Sequence, residues 1–549
     1  MRQKKEPIDI KKISFDELTD LFQKRIFAIP EIQREFVWTK TKIIDLLDSI
    51  RKHYPIGSFL ICKVPSKMAK HIRQVTALPE FDEKNNKECY VIIDGQQRLS
   101  SLYSVLNGQK MSETRYNNGI DFKQICLSPG QKNESEFDFY NTDENSHIKL
   151  YDLLSGRLKY ETGKNRKKRI NECEKSFKAY SFPFIFISGY DDRNMREAFI
   201  RLNRGGTSLS SEDKILTISY SSDTDFRRHC AQAAHGLQGG FDNFERKHFL
   251  TAIFANLGVN DFISTTSRNN IAKKIKNSNN PYHIEYKNHR KKIFESIKLA
   301  AGFLFRKFRD SSYIPYPAML SILSIFYYNN NNHQPNEKQI EEIERWFWIT
   351  GFTKRYSGSS QLKNQLNDGE EMKKLAKSKK YKINLIGQKR IEPISMKDLA
   401  KVRYNQSGAI RNTFFCYLIS KKPREFTNGE PLDIGEVSSI FDKKNDHHIF
   451  PKNILNKYFY IDDINTILNI CFLSFGENNA IKDKYPWVYL KEFNKDNFRK
   501  ILDSHVLPFK DCLLKRGDIE EKYKSFKKER MLIIRRDLTR LVGEKYIVD

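Results

Sequence analysis

The chain has 549 residues, 39% of them hydrophobic, and Lys plus Arg exceed Asp plus Glu by 96 to 68. Its 39 Phe, 26 Tyr and 4 Trp are too many for a disordered polymer, and no apolar run approaches the roughly 18 residues that cross a bilayer. Eight widely spaced cysteines without a CxxC pair give no local support for a disulfide framework or a cysteine zinc site. We expect a cytoplasmic protein of several domains with reduced, buried thiols, whose net charge of +28 favours a nucleic-acid partner.

The first 110 residues alternate between helix and strand signals. Apolar residues recur at helical spacing over residues 39–50, with Thr39 as the N-cap, and residues 58–64 then have the pattern of a strand. A short buried strand over residues 90–93 is followed by a helical pattern that Asn107-Gly108 ends. These signals predict a small α/β domain at the N-terminus.

The remaining chain divides by pattern. Residues 226–395 are mainly helical, and the segment from residue 396 onward closes with a basic helix over residues 520–541. We therefore expect an α+β multidomain protein with domains at residues 1–225, 226–395 and 396–549.

The sequence IIDGQQRLSSLY places Asp94 and Gly95 where a strand is followed by a helix. The first turn of a helix offers unpaired N–H groups and a partial positive charge, so phosphate groups bind there readily. Gly95 allows close approach of the backbone to a ligand. The guanidinium of Arg98 can donate two hydrogen bonds to a phosphate, and the carboxylate of Asp94 can bind a metal or position a water. A helix cap with a surface ion pair would give the same pattern, so the residues alone leave both interpretations open.

Three sequence blocks resemble, in order, the ParB-like N-terminal domain of GmrSD-family modification-dependent restriction proteins: IPEIQREFVWTKTKIIDLLDSIRKHYPIGSFLI, VIIDGQQRLSSLY and AFIRLNRGGTSLSSEDK. The resemblance covers roughly residues 10–220 and implies binding and hydrolysis of a nucleoside triphosphate, whether GTP, ATP or another. The implied nucleotide-binding residues are Gln33, Arg34, Asp94, Gly95, Gln96, Gln97, Arg98, Asn203, Gly205, Gly206 and Thr207. Asp94 and Arg98 would also take part in hydrolysis, and an ordinary tight loop is the alternative interpretation of Gly205-Gly206.

Two of the chain's 12 histidines are adjacent, His447 and His448, in the segment FDKKNDHHIFPKNILNKY. Successive strand side chains point to opposite faces, so neighbouring histidines serve one site only where the backbone turns. Downstream, a strand is predicted over residues 467–475, and a helix is predicted to start near Asn478 and Asn479 in LSFGENNAIKDKYP. The order histidine, asparagine, asparagine on strand, strand and helix resembles the HNH, or ββα-metal, nuclease motif over about residues 430–490, in the version fused behind GmrSD-type domains.

The HNH resemblance implies a role for each polar residue of this segment. His448 is the general base, because imidazole has a suitable pKa near neutrality, and Asn469 orients the loop or His448. A divalent cation, Mg²⁺ or Mn²⁺, would be bound by His447 and Asn479, with Asp446 as the ligand if the register shifts by one and Asn478 as the alternative to Asn479. The implied catalytic residues of this domain are His448, Asn469 and Asn479, and the DNA contacts are Lys452 and Lys482.

Together the two resemblances imply an HNH-type DNA endonuclease that is divalent-metal-dependent and nucleotide-regulated and restricts modified phage DNA in bacterial defence. DNA and a nucleoside triphosphate are the expected partners, a homo-oligomer is left open, and no membrane partner is expected. Two alternatives remain. One is a nucleotide-binding DNA sensor or regulatory scaffold with an inactive nuclease domain, and the other is an RNA-cleaving toxin.

Overall fold

The structure is a computed structural model of the chain. It describes residues 8–30, 33, 36–66, 72–73, 78–111, 119–127, 137–139, 148–157, 164–189, 194, 212, 215–216, 219, 224–385, 392–435, 448–491 and 497–549. The chain divides into two compact units, an N-terminal unit (Met1–Asp223) and a C-terminal unit (Thr224–Asp549). The predicted helical region and the predicted nuclease domain both lie within the C-terminal unit.

The N-terminal unit is an α/β domain. Its strands are β1 (Ile8–Ile13), β2 (Phe27–Pro30), β3 (Phe59–Pro65), β4 (Ile72–Arg73), β5 (Glu88–Asp94), β6 (Lys110–Met111), β7 (Ile120–Asp121), β8 (Ile125–Leu127), β9 (Phe137–Phe139), β10 (Ile148–Lys149) and β11 (Phe182–Ser188). Its helices are α1 (Phe15–Gln23), α2 (Lys40–Arg51), α3 (Gln96–Asn107), α4 (Leu150–Leu154) and α5 (Lys164–Ala179).

The main sheet of this unit is mixed, and in the described residues its strand order is β1-β11-β3-β5-β2-β4. Side chains alternate across it, so that Ile61 and Ile92 join the large core formed with the helices while Val91 and Ile93 pack in a smaller cluster on the other face. Strand β5 lies between β3 and β2, and a register shift between Leu60 and Ile61 pairs Leu60 with Asp94, the last residue of β5. The sheet therefore delivers Asp94 to the edge from which α3 begins.

The C-terminal unit is mainly helical. Its helices are α6 (Phe226–Ala234), α7 (Arg246–Asn256), α8 (Thr265–Lys276), α9 (Pro281–Phe308), α10 (Ala318–Asn329), α11 (Glu337–Phe352), α12 (Gln361–Lys377), α13 (Met396–Lys401), α14 (Ala409–Ser420), α15 (Lys452–Leu455), α16 (Ile461–Ile464), α17 (Phe475–Ile481), α18 (Pro486–Tyr489), α19 (Phe498–Ser504), α20 (Asp511–Leu514) and α21 (Ile519–Val542). Strands β12 (Ile394–Ser395) and β13 (Ile547–Val548) pair in parallel.

Helix α21 packs against the segment that follows residue 448. The ring of Phe450 packs against Tyr523 and Phe526, with centroids 5.3 and 5.1 Å away. The fully buried Arg530 donates to the carbonyl of Leu468 at 2.6 Å, as well as to the carbonyls of His505 and Val506. Burial lowers the pKa of Arg530 to about 10. The predicted basic helix is thus an integral part of this core.

Several sequence predictions agree with the structure. Helices α2 and α3 start and stop close to the predicted residues, with Gly108 in the left-handed conformation after α3. All eight cysteines are free and buried. Within the described residues, no helix is both long and apolar enough to cross a bilayer.

The predicted strand over residues 467–475 is wrong. Ile467–Asn469 is a 3₁₀ helix, only Ile470 makes a strand-like bridge, and α17 begins at Phe475. The reason is a pair of caps, because Thr466 accepts from the N–H of Leu468 and Ser474 accepts from that of Glu477. Asn478 and Asn479 are therefore the fourth and fifth of the seven residues of α17 and do not stand at its start. Lys482 is the residue after the end of the helix.

Candidate functional site

The N-terminal candidate site surrounds the junction of β5 and α3. Gly95 is the N-cap of α3 with φ of +92°, and a Cβ at this position would lie 2.5 Å from Cδ1 of Phe59. Only glycine fits a backbone that is both left-handed and this closely packed. The turn thus explains why DG precedes the helix, and it leaves the side chain of Asp94 about half exposed.

Arg98 is bound mostly inside the protein. Its guanidinium donates to the carbonyls of Ile56 and Ser58 and, at 3.1 Å, to the carboxylate of Asp94, and it lies 5.0 Å from the centre of the Phe59 ring. Burial lowers its pKa, and the neighbouring Asp94 opposes that shift. Arg98 therefore fixes the turn at Gly57 and Gly95, while its contact with phosphate stays a prediction.

Three glutamines complete this site, and all three are buried. Gln33 donates to the carbonyls of Ile92 and Ile93 at 3.2 and 2.8 Å, so it ties the segment before α2 to β5. Gln97 accepts from the N–H of Val37 at 2.8 Å and donates to Gln96. The amide nitrogen of Gln96 has no partner among the residues described.

The structure therefore brings six of the predicted nucleotide-binding residues together: Gln33, Asp94, Gly95, Gln96, Gln97 and Arg98. The other five, Arg34, Asn203, Gly205, Gly206 and Thr207, lie outside the described residues.

The C-terminal candidate site begins at His448, which is buried and forms an antiparallel bridge with Ile470. The N–H of Ile449 donates to the carbonyl of Asn469 at 2.8 Å. The Asn469 side chain accepts from the N–H of Phe450 at 2.9 Å and donates to the carbonyls of Phe450 and Ile464. Asn469 therefore joins its own segment to the one that carries His448.

A residue that sequence reasoning missed contacts the imidazole directly. The side-chain oxygen of Asn465 lies 3.1 Å from Nε2 of His448, and the ring of Tyr404 stands edge-on to the imidazole at 5.4 Å. Because an amide oxygen only accepts, this contact is a hydrogen bond when the ring hydrogen is on Nε2. In the sequence, Asn465 is distinguished only as an asparagine four residues before Asn469. Its contact partner, His448, lies elsewhere in the chain.

Helix α17 is attached to the segment that follows His448. Asn453 donates to Asp483, just after α17, at 3.0 Å, and the hydroxyl of Tyr489 on the following helix, α18, donates to the carbonyl of Ile449 at 2.9 Å. Asn479 is exposed on this helix and Asn478 is partly exposed. The result is two paired segments followed by a helix.

A pair of carboxyl groups, buried Glu477 and partly buried Glu425, lies at the start of α17. Glu477 accepts from the N–H and the hydroxyl of Thr427, and Glu425 accepts from Ser474, the N-cap of the helix. Burial, followed by the bond with Glu425, raises the pKa of Glu477 to about 8. The raised pKa favours the protonated form of Glu477, which weakens repulsion between the two carboxyl groups.

The predicted metal ligands are only partly described. Asp446 and His447 lie outside the described residues, while Asn479 offers an accessible amide oxygen. In the part of the chain that is described, no group of three or more His, Cys, Asp or Glu side chains is placed to hold a metal ion. Of the predicted DNA contacts, Lys452 begins α15 and is partly exposed, and Lys482 is exposed after α17.

Comparison with known proteins bears on the first of these sites. Residues 18–219 match the GmrSD restriction endonuclease N-terminal domain. The match spans Gln33 and the whole turn from Asp94 to Arg98, so the GmrSD-type domain contains the N-terminal candidate site. The match suggests that the chain is a restriction endonuclease, a class of enzyme whose substrate is DNA.

A relative extends the similarity beyond the GmrSD-type domain. The uncharacterized protein MJ0686 of Methanocaldococcus jannaschii is 23% identical over 606 aligned positions, which cover 96% of this chain and 98% of the relative. The similarity therefore includes the C-terminal unit, although the name of the relative carries no activity.

Proposed function

We propose that the chain is an HNH-type DNA endonuclease, dependent on a divalent metal and regulated by a nucleoside triphosphate, that restricts modified phage DNA. The observation that carries the proposal is the bridge between His448 and Ile470, held by Asn469 and followed by α17. Two paired segments and a helix are the arrangement that a ββα-metal centre requires. The match of the GmrSD-type domain to a restriction endonuclease family supports the same conclusion.

His448 supplies the base. With Nε2 facing Asn465, the imidazole would take the proton of the attacking water at its other ring nitrogen, Nδ1. The water oxygen then forms a bond to phosphorus, and the P–O bond to the leaving oxygen breaks. Asn465 and Tyr404 keep the ring in place during this step.

Asn479 and either Asp446 or His447 would hold the cation. Nitrogen and oxygen donors of this kind suit Mg²⁺ or Mn²⁺. When bound, the cation polarises the scissile phosphate and neutralises developing charge. The exposure of Asn479 leaves its amide oxygen open to such an ion.

The nucleotide would bind at the first turn of α3. The supporting observations are the half-exposed carboxylate of Asp94, the close backbone approach at Gly95 and the buried amide of Gln96. Phosphate at this turn would meet the N–H groups of the helix. Asp94 would then position the water or metal that hydrolysis requires.

The nuclease proposal is tested with His448→Ala and a matched His333→Ala control, since His333 is exposed in the same unit. Unmodified, hydroxymethylated, glucosylated and phosphorothioated plasmids are incubated with Mg²⁺ or Mn²⁺, with and without each nucleoside triphosphate. We expect nicking by the parent and by His333→Ala, and a loss of at least about a hundredfold in His448→Ala.

Equal residual cleavage in the parent and His448→Ala would refute the assignment. Absence of metal-dependent cleavage on every plasmid, with nucleotide binding intact, would identify a sensor or scaffold. Faster cleavage of RNA than of DNA in direct competition would identify an RNA-cleaving enzyme.

The nucleotide site is tested with Asp94→Asn against the control Asp45→Asn, an exposed carboxylate on α2. Both changes remove one charge from the N-terminal unit. We expect nucleoside triphosphate hydrolysis to be lost only in Asp94→Asn, and hydrolysis that survives in both would place the site elsewhere.

A further inference from the structure

Two cavities of the C-terminal unit meet at one basic turn. Their volumes are 540 and 990 Å³, and both are lined by Lys421, Lys422 and Arg424, which follow α14. The first cavity extends to the end of α9, and the second extends to α19 and α21. We call the combined lining the basic track.

The basic track is strongly positive. Six basic side chains and one acidic side chain line the first cavity, and eight basic and three acidic side chains line the second, with the three residues of the turn common to both. Internal ion pairs satisfy part of this charge, since Lys307 pairs with Glu344, and Lys421 with Asp537. The surplus of positive charge remains large after these pairs.

Much of this charge faces solvent. Arg499, Lys500, Lys510 and Arg540 are all exposed on the walls of the larger cavity. Arg499 lies 5.9 Å from the ring centre of Phe509, which is itself 53% exposed. Cations arranged along a trough attract a polyanion, and the exposed ring adds an apolar contact for sugar or base.

The basic track adjoins the candidate nuclease site. The residue after Arg424 is Glu425, which accepts from Ser474 at the start of α17. The carbonyl of Arg424 also accepts from His505, whose own carbonyl is bound by Arg530. The same Arg530 holds the carbonyl of Leu468 beside Asn469. One wall of the track is therefore built on the framework that positions His448.

We propose that the basic track binds the phosphate backbone of duplex DNA and carries it to His448. This inference rests on the proposed endonuclease function for its choice of DNA over another polyanion. Lys and Arg side chains on such a surface bind phosphates whatever the base sequence, so the basic track would supply affinity for DNA and orient the duplex. Recognition of a modified base must then come from other residues.

The test measures binding apart from cleavage. In the full chain carrying His448→Ala, with EDTA present, the dissociation constant for an unmodified 30-base-pair duplex is measured from 50 to 200 mM KCl. A track variant carries R499Q, K500Q, K510Q and R540Q. A charge-matched control carries K287Q, K298Q, K338Q and K397Q, four exposed lysines of the same unit that do not line either cavity.

We expect the track variant to bind about tenfold or more weakly at 100 mM KCl, with a salt slope shallower by up to about four. The control should stay within about threefold of the parent. A second track variant, R499K with R540K, keeps the charges and should bind like the parent, which separates loss of charge from loss of folding.

Equal binding by the track variant and the control would overturn the proposal. So would unchanged duplex binding with lost binding of polyglutamate, since the track would then take an acidic protein segment. Binding is measured without metal in a variant that lacks His448, so the result stands whether or not the parent proves to be an endonuclease.

Discussion

The side chain of Asn469 bonds both backbone polar groups of Phe450, accepting from its N–H at 2.9 Å and donating to its carbonyl at 3.1 Å. A third bond joins it to the carbonyl of Ile464. The asparagine is fully buried, so none of these groups can turn to water instead. The two segments that form the candidate site are therefore joined through one amide.

Asn469→Asp tests this junction with a side chain of the same shape. A carboxylate accepts but does not donate, so it would leave the two carbonyls unpaired, and we expect a loss of about 2–5 kcal/mol in the free energy of unfolding. Urea unfolding can be followed by tryptophan fluorescence, since Trp346, Trp348 and Trp487 lie in this unit. Asn479→Ala, at an exposed position, should change stability by less than about 0.5 kcal/mol while abolishing cleavage. Similar unfolding of both variants would contradict the role of Asn469.

Asn465→Asp should change the pH dependence of cleavage. A carboxylate beside Nε2 stabilises the imidazolium and raises the pKa of His448, and only the neutral ring can act as a base. The acidic limb of the kcat/KM profile should therefore move upward by about one pH unit. Asn279→Asp, at an exposed position of the same unit that has no role in the candidate site, serves as the control. An acidic limb that does not move in Asn465→Asp would show that Asn465 does not act through the base.

Gly95→Ala should destabilise the turn at the N-terminal site. The new Cβ would lie 2.5 Å from Cδ1 of Phe59, in addition to the cost of a left-handed backbone. Gly189→Ala provides the comparison, because Gly189 has a similar φ of +83° but no described residue lies within 4 Å of the new Cβ. We expect the Gly95 variant to lose about 1–3 kcal/mol more, measured by hydrogen exchange of β5 and α3. Equal losses would mean that the packing around Phe59 relaxes freely.

Glu477→Gln should remove a pH dependence of stability. The pKa of Glu477 is about 8 in the folded chain, against an ordinary value of 4.5 for a glutamate, so its stabilising effect is complete below pH 4.5 and is lost as the pH rises through about 8. Glutamine resembles the protonated acid at every pH. The variant and the parent should unfold at similar urea concentrations at pH 4.5, and the variant should be the more stable at about pH 9. A constant difference across this range would contradict the raised pKa of Glu477.

Local sequence signals account for the elements that were predicted well. Apolar spacing with Thr39 and Gly108 at the ends predicted α2 and α3, because caps and turns act within a few residues. The turn at Asp94 was also evident from the sequence. The sequence did not show that Arg98 binds the carbonyls of Ile56 and Ser58, because those residues are some 40 positions away in the chain.

The region after residue 460 could not be predicted in the same way. Thr466 donates to the carbonyl of Ala400, and the N–H of Ile467 donates to that of Val402, so the 3₁₀ turn depends on a distant segment. Residues 467–475 are rich in Ile and Phe, which favour strands, and these tertiary contacts override that preference. Asn465 was missed for the same reason, because its importance follows from its distance to His448.

Helix α21 has a consequence for how the molecule is made. Translation delivers His448, Asn469 and Asn479 before it delivers the helix on which Phe450 rests and from which Arg530 reaches Leu468. A growing polypeptide that already contains every reactive group still lacks this support. The proposed cleavage activity should consequently arise only after residue 542 has emerged from the ribosome.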